Sequence, residues 1–247
     1  MSAATPSRSV RSPARRKRVR AARAKQRPRS LSDRVYDLLR TDILSCVLAP
    51  GRDLSEAELA DRFAVSKTPV REALAKLRSE GFVRTFPRRG YQVVPITIAD
   101  MNDLFDVRAI LEAGAAELAC QRIGRAELEN LERLADVAYE QDARPSLKVF
   151  VQTNREFHAA IARASGSERL SSLLQRTLDE LERFFFLGAQ LRDIGAETRD
   201  DHRAIVDVLR AGDPAGARAV MIRHNEATRR GLFRSLATTA GLTAVSL

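Results

Sequence analysis

Hydrophobic and polar positions along the chain fall into two regimes. Leu31, Val35, Leu38, Leu39 and Ile43 recur at the three- and four-residue spacing of a helix, and the pattern stops at the turn residues Pro50 and Gly51. Ser55 stands three residues before Glu58, the spacing at which two side chains cap free backbone donors, and opens a short helix carrying Leu59, Ala60 and Phe63 inward. After a break at Ala64 and Val65, Ser66 is a good N-cap for a third helix. Pro69 fits in its first turn, where the missing N–H would be unpaired anyway. Val70, Ala73, Leu74 and Leu77 form the apolar stripe of this helix, and Lys67, Thr68, Arg71 and Arg78 project from another face. Gly81 ends it. Residues 82–85 and 91–94 then read as two strands joined by Pro87, Arg88, Arg89 and Gly90, a hairpin with a cationic tip.

From residue 99 onward the strand signals disappear. Leu104, Val107, Ile110 and Leu111 keep helical spacing, as do Leu128, Leu131 and Leu134. Further helices are expected near 146–165, 168–190, 197–211 and 214–234, punctuated by Pro145, Gly166, Gly195 and the Gly212-Asp213-Pro214 run. The expected fold class is therefore mostly α. A winged helix-turn-helix at 31–95, whose third helix fits a major groove about 12 Å wide, precedes an all-helical bundle at 99–235, with tails at 1–30 and 236–247. A chain of 247 residues is long enough for two such domains, each with its own core.

Composition changes this picture in one place. The formal charge of +10 is local: residues 1–32 hold 11 Lys and Arg and no acid, whereas the rest carries 31 basic against 32 acidic residues. Rich in Arg, Ser, Ala and Pro, the tail cannot bury enough apolar surface to offset its ordering entropy and is expected to be disordered. A basic arm of this kind can release counterions from DNA phosphates. The same composition also suits a solubilising extension or an organelle transit peptide. No apolar run approaches the roughly 20 residues of a membrane span, and a cytoplasmic protein without membrane association is expected. Cys46 and Cys120 stand far apart in apolar helical patterns and read as reduced, packed thiols.

The stretch 54–74, with Val65-Ser66-Lys67-Thr68-Pro69-Val70-Arg71-Glu72-Ala73-Leu74 at its end, and the tip Pro87-Arg88-Arg89-Gly90 closely resemble the DNA-binding domain of GntR-family regulators. By that resemblance Ser66, Lys67, Thr68 and Arg71 contact phosphates or base edges, and Arg88, Arg89 and Gly90 enter the neighbouring minor groove. Lys67 stands where the family often has Arg, which weakens planar bidentate guanine recognition. Ala57 stands where some members carry a DNA-contacting Arg.

The chain's three histidines, His158, His202 and His224, fall in three different expected helices of the second domain. Asn154, one turn before His158, shares its helix face, so that four ligands from three helices can converge on one ion. The plain alternative is three surface or satisfied interior histidines. Residues 100–235 resemble the FCD ligand-binding domain of the FadR subfamily at Asp106-Val107-Arg108 with Glu112, Glu156-Phe157-His158, Asp201-His202-Arg203-Ala204-Ile205 and the segment from Gly212 to His224. The resemblance implies a divalent metal on Asn154, His158, His202 and His224, with Arg108 reaching toward an organic acid bound to it. Many members have Asp at position 154. With Asn there, all four ligands are neutral and the ion's double charge is uncompensated, so an anionic effector is expected to supply the missing charge. Zinc leads, and nickel and manganese are compatible.

Taken together these features imply a regulator, not an enzyme: a homodimer that binds double-stranded operator DNA and responds to a small carboxylate. A metal-dependent hydrolase using Glu156 as base is the enzymatic alternative, but no HExxH arrangement, nucleophile elbow or phosphate-binding Gly-rich loop is present, and it leaves the first domain unexplained. A nucleoid-type architectural protein driven by the basic tail is the third reading.

Overall fold

The computed structural model describes residues 29–86, 90–136, 144–191 and 195–237. The expected tail up to residue 28, the wing-tip residues Pro87, Arg88 and Arg89, and residues 238–247 lie outside them. The described residues form α1 (Leu31–Leu44), β1 (Asp53–Leu54), α2 (Glu56–Phe63), α3 (Lys67–Ser79), β2 (Val83–Phe86), β3 (Gly90–Val93), α4 (Ile98–Cys120), α5 (Arg125–Ala135), α6 (Arg144–Ala164), α7 (Glu168–Leu191), α8 (Gly195–Ala211) and α9 (Pro214–Leu236).

Local sequence accounts for most of the boundaries in the first domain. Ser30 and Asp33 form a reciprocal capping box that starts α1, so Ser30 belongs to the folded domain and not to the tail. Only half of the expected Ser55–Glu58 box forms. The Ser55 hydroxyl accepts from the Glu58 backbone N–H, while the Glu58 carboxylate pairs with Arg52 at 2.8 Å. Ser66 occupies the N-cap position of α3 but its hydroxyl makes no capping bond. The turn between α2 and α3 passes through Ala64 in the left-handed region, φ 52°, and closes with the Val65 N–H donating to the Ala60 carbonyl.

The hairpin has a third strand that the sequence pattern missed: β1 pairs antiparallel with β3, giving the order β1-β3-β2. Two residues are too few to carry an alternation. Val35, Leu39 and Ile43 of α1, Leu59 of α2, Val70, Leu74 and Leu77 of α3 and Val83 and Val93 of the sheet fill one core, whereas Leu31 and Leu38, expected on the same stripe, are 56% and 49% exposed.

The second domain is the expected bundle, α4 to α9 among the described residues. α4 runs through its centre against α9, α7 and α6. Its buried face differs from the apolar stripe legible in sequence. α4 buries Met101, Phe105, Arg108, Glu112, Ala115, Ala116 and Ala119, while Val107 and Ile110 are 47% and 73% exposed. Two charged residues take the interior positions because they satisfy each other there, and so two apolar residues are left facing outward. No helix among the described residues is long and apolar enough to cross a membrane.

Candidate DNA interface and buried histidine cluster

In the first domain, α2 and α3 hold each other through one ion pair on the basic face. The Arg71 guanidinium lays its fork on Glu56, Nε to Oε1 at 3.0 Å and Nη2 to Oε2 at 2.7 Å, with the Arg71 side chain 64% exposed. Hydrogen bonding and the charge of Arg71 hold the Glu56 carboxyl below the usual carboxylate range. The Arg71 donors are thus aligned on a carboxylate in the two-point geometry that a guanidinium also offers to a phosphate or a guanine edge. Lys67 and Thr68 sit exposed in the first turn of α3, next to Ser66. Gly90 begins β3 at φ 89°, and a Cβ there would come 2.8 Å from the Leu54 carbonyl oxygen. That glycine is required by the backbone, which brings the start of β3 against β1. Arg88 and Arg89 lie outside the described residues, as does any contact they make.

In the second domain α6, α8 and α9 each bring one histidine inward. His158, His202 and His224 are buried, with ring centroids 5.1 to 5.2 Å apart and ligand nitrogens all within 4.8 Å of one another. Asn154, one turn before His158 on α6, is buried beside them. The His202 ring stacks on Phe157 at 3.9 Å, which fixes its plane. His224 Nδ1 lies 3.1 Å from Asp201 Oδ2. Such a carboxylate partner sets the ring tautomer and leaves the other nitrogen as a lone pair. In keeping with this, Nε2 of His224 and Nε2 of His202 are buried and have no hydrogen-bond partner among the described residues. Buried imidazole nitrogens left unpaired cost free energy unless something ligates them. The site therefore fits a divalent ion.

Arg108 lies behind this cluster, wholly buried. Its Nε donates to Glu112 Oε1 at 3.0 Å, its Nη2 stands 2.8 Å from His158 Nε2, and its Nη1 has no partner among the described residues. The guanidinium rests over the rings of Phe105 and Phe185, 5.5 and 5.4 Å from their centroids. Glu112 also accepts from Asn225 Nδ2 at 2.8 Å. Its Oε1 lies 3.0 Å from His158 Nδ1, although that nitrogen is out of line for a hydrogen bond. Burial opposes ionisation of Glu112, but Arg108, His158 and Asn225 outweigh it and hold the carboxyl well below the usual range. Burial, opposed by Glu112 and aided by Arg108, brings His158 down to about 4, and burial, together with the neighbouring imidazoles and Arg108, brings His202 well below the ordinary imidazole value. Both rings are neutral at neutral pH, the state a metal ligand needs.

Beside the cluster opens a cavity of about 350 Å³ whose wall includes Asn154, His224 and Asp201 on one side and Phe150, Phe185 and Leu232 on another. Sequence reasoning brought the three histidines and Asn154 together but missed Asp201 as the partner of His224 and Glu112 with Asn225 as the partners of Arg108. Asp201, adjacent to His202 in sequence, faces a different histidine, and no local spacing announces that. Glu156, the candidate base of a hydrolase, is 44% exposed, pairs with Arg163 and lines a separate cleft.

A winged helix-turn-helix joined to a helical bundle with a buried polar pocket defines a two-domain class of protein. Residues 31–93 match the family "Bacterial regulatory proteins, gntR family" and residues 103–227 match the FCD domain. The chain belongs to the gntR family of bacterial regulatory proteins and carries an FCD domain. It is 34% identical over 128 residues to the HTH-type transcriptional repressor RspR of Escherichia coli, an alignment covering 52% of this chain and 56% of that one. The chain thus spans little more than half the length of that relative. A second relative, an HTH-type transcriptional regulator in an unstable DNA locus of Streptomyces ambofaciens, is 32% identical over 191 residues, 77% of this chain and 80% of its own length. The fold is similar to that of E. coli McbR/YncC, with a TM-score of 0.68 and 23% identity over 84% of this chain and 99% of that one. Regulators, not enzymes, are what these names describe.

Proposed function

We propose that the protein is a DNA-binding transcription regulator of the cytoplasm whose operator affinity is set by a small organic acid bound with a divalent metal, zinc first and nickel or manganese as alternatives, in the helical domain. The observation that carries this reading is the pair of buried, unpartnered Nε2 atoms on His202 and His224 beside Asn154 and His158, in a domain joined to a helix-turn-helix. Ser66, Lys67, Thr68, Arg71, Arg88, Arg89 and Gly90 form the operator-reading surface.

Charge arithmetic favours an anionic effector. Asn154, His158, His202 and His224 offer only neutral ligand atoms, and the Arg108 guanidinium already stands 2.8 Å from His158 Nε2. A divalent cation at the histidines and a guanidinium at the same ring repel each other. A carboxylate on the ion offsets its double charge, and Arg108 Nη1, without a partner among the described residues, is a further donor for it. The apolar wall of Phe150, Phe185 and Leu232 accommodates the rest of a small organic acid.

A homodimer is proposed because helix-turn-helix proteins place two recognition helices on a near-palindromic operator. Val107 and Ile110, exposed on adjacent turns of α4, offer an apolar surface for a second copy. The metal reading is tested by elemental analysis of the purified protein and by zinc titration of wild type, His202→Ala and His224→Ala. One zinc per chain in wild type, lost in both variants, is expected. Stoichiometric zinc in either variant contradicts the site.

A further inference from the structure

The two domains touch through a charge bridge that begins one residue from the histidine cluster. Asp179 of α7 holds Arg40 of α1 at 2.6 Å through one carboxylate oxygen and Arg155 of α6 through the other, with Arg155 Nη2 at 2.6 Å and Nε at 2.7 Å. Arg40, Asp179 and Arg155 keep side-chain exposures of 26%, 22% and 29%, so the bridge is shielded without being sealed. Clefts of about 340 and 530 Å³ open on its two sides, both reaching Arg40. One turn after Asp179, the Arg183 guanidinium donates to the Val94 carbonyl at 2.9 Å and lies over Phe82, tying α7 to the base of the wing. The bridge itself is polar and flanked by space, while Cys46, just after α1, packs against the apolar core of the second domain.

Arg155 is what gives this bridge a signal to carry. It follows Asn154 directly and precedes His158 by three residues on one continuous helix, so the ligand-bearing residues and Arg155 ride on the same rigid rod. A displacement or rotation of α6 that brings Asn154 and His158 onto an ion must carry Arg155 with it. Because Arg155 and Arg40 share one carboxylate, a change in the first contact alters the second.

We propose that Asp179 is the joint through which ligation at the histidine cluster is read by the DNA-binding domain, with Arg155 as the positioning residue on the sensing side and Arg40 on the reading side. This rests on the metal reading of the cluster. The test uses full-length wild type, Asp179→Asn and Asp179→Glu, with zinc ion alone as the probe. Zinc affinity is measured by competition with a chromophoric chelator, and hydrogen–deuterium exchange is followed across residues 37–44 and 82–94. In wild type, zinc is expected to change exchange of these segments by about fivefold or more. Asp179→Asn is expected to bind zinc with unchanged affinity and lose that response, and Asp179→Glu to retain it. Should Asp179→Asn fail to fold, Arg40→Gln removes the same bridge from the other domain and must lose the response likewise. An Asp179→Asn protein that binds zinc and responds as wild type does overturns the joint, as does a wild type that binds zinc without a change in these segments. A wild type that does not bind zinc overturns the metal reading and the joint with it.

Discussion

The Asp201 carboxylate lies 3.1 Å from Nδ1 of His224, and the Nε2 of the same ring is buried without a partner next to His158 and His202. An acid that orients an imidazole and fixes its tautomer acts on metal affinity without touching the metal. Asp201→Asn is therefore expected to weaken zinc binding about 10- to 100-fold while leaving the melting temperature of the metal-free protein close to wild type. Chelator competition measures the first and circular dichroism the second. Unchanged zinc affinity would place His224 outside the ligand set.

Burial also makes the metal-free site sensitive to acid. His158 is brought down to about 4 and His202 falls well below the ordinary 6.5, so in this range the unfolded chain binds protons that the folded one does not. The stability of the neutral rings is fully present above about pH 6.5 and is lost as pH falls toward about 4. The depressed Glu112 carboxyl adds a loss of the same sign in more acidic solution. Urea unfolding of the metal-free protein is expected to show its midpoint dropping between pH 7 and 5, with a smaller drop in His202→Gln. A flat midpoint over that interval would contradict the burial of neutral imidazoles.

On the DNA side, Arg71 is held by Glu56 at 2.7 to 3.0 Å. Removing the guanidinium by Arg71→Ala is expected to cost specific operator binding about 1–3 kcal/mol. Glu56→Gln, which removes the competing negative charge, is expected to strengthen binding at fixed salt. Anisotropy titrations across a salt series separate the two. Specific binding that survives Arg71→Ala would move the reading surface off α3.

Gly90 separates a backbone role from a DNA contact. At φ 89°, with the Leu54 carbonyl 2.8 Å from where a Cβ would stand, Gly90→Ala is expected to destabilise the first domain by about 1–3 kcal/mol, read as a lower melting temperature. An unchanged melt with weakened DNA binding would assign Gly90 to the DNA and not to the hairpin.

The helices were legible because their stripes, caps and punctuation are local. α6 to α9 begin and end within two residues of the expected positions, and the three histidines were placed on three helices by spacing alone. What the sequence concealed depends on pairing over distance. Val107 and Ile110 look like core, yet Arg108 and Glu112 are inside because each supplies the other's charge and Asn225, more than a hundred residues later, supplies a further donor. β1 is invisible in isolation, since its two residues become a strand only against β3. The link from Arg155 through Asp179 to Arg40 joins three helices and no motif.

The most direct measurement is fluorescence anisotropy of the full-length protein on duplex DNA from its own upstream region, at moderate salt with excess nonspecific competitor, for wild type and His202→Ala, with and without zinc and a panel of small carboxylates. Saturable specific binding by both proteins, shifted by one acid with zinc in wild type and unshifted in His202→Ala, is the expected result. Specific binding that no acid alters, or an equal shift in His202→Ala, would contradict control through the histidine cluster.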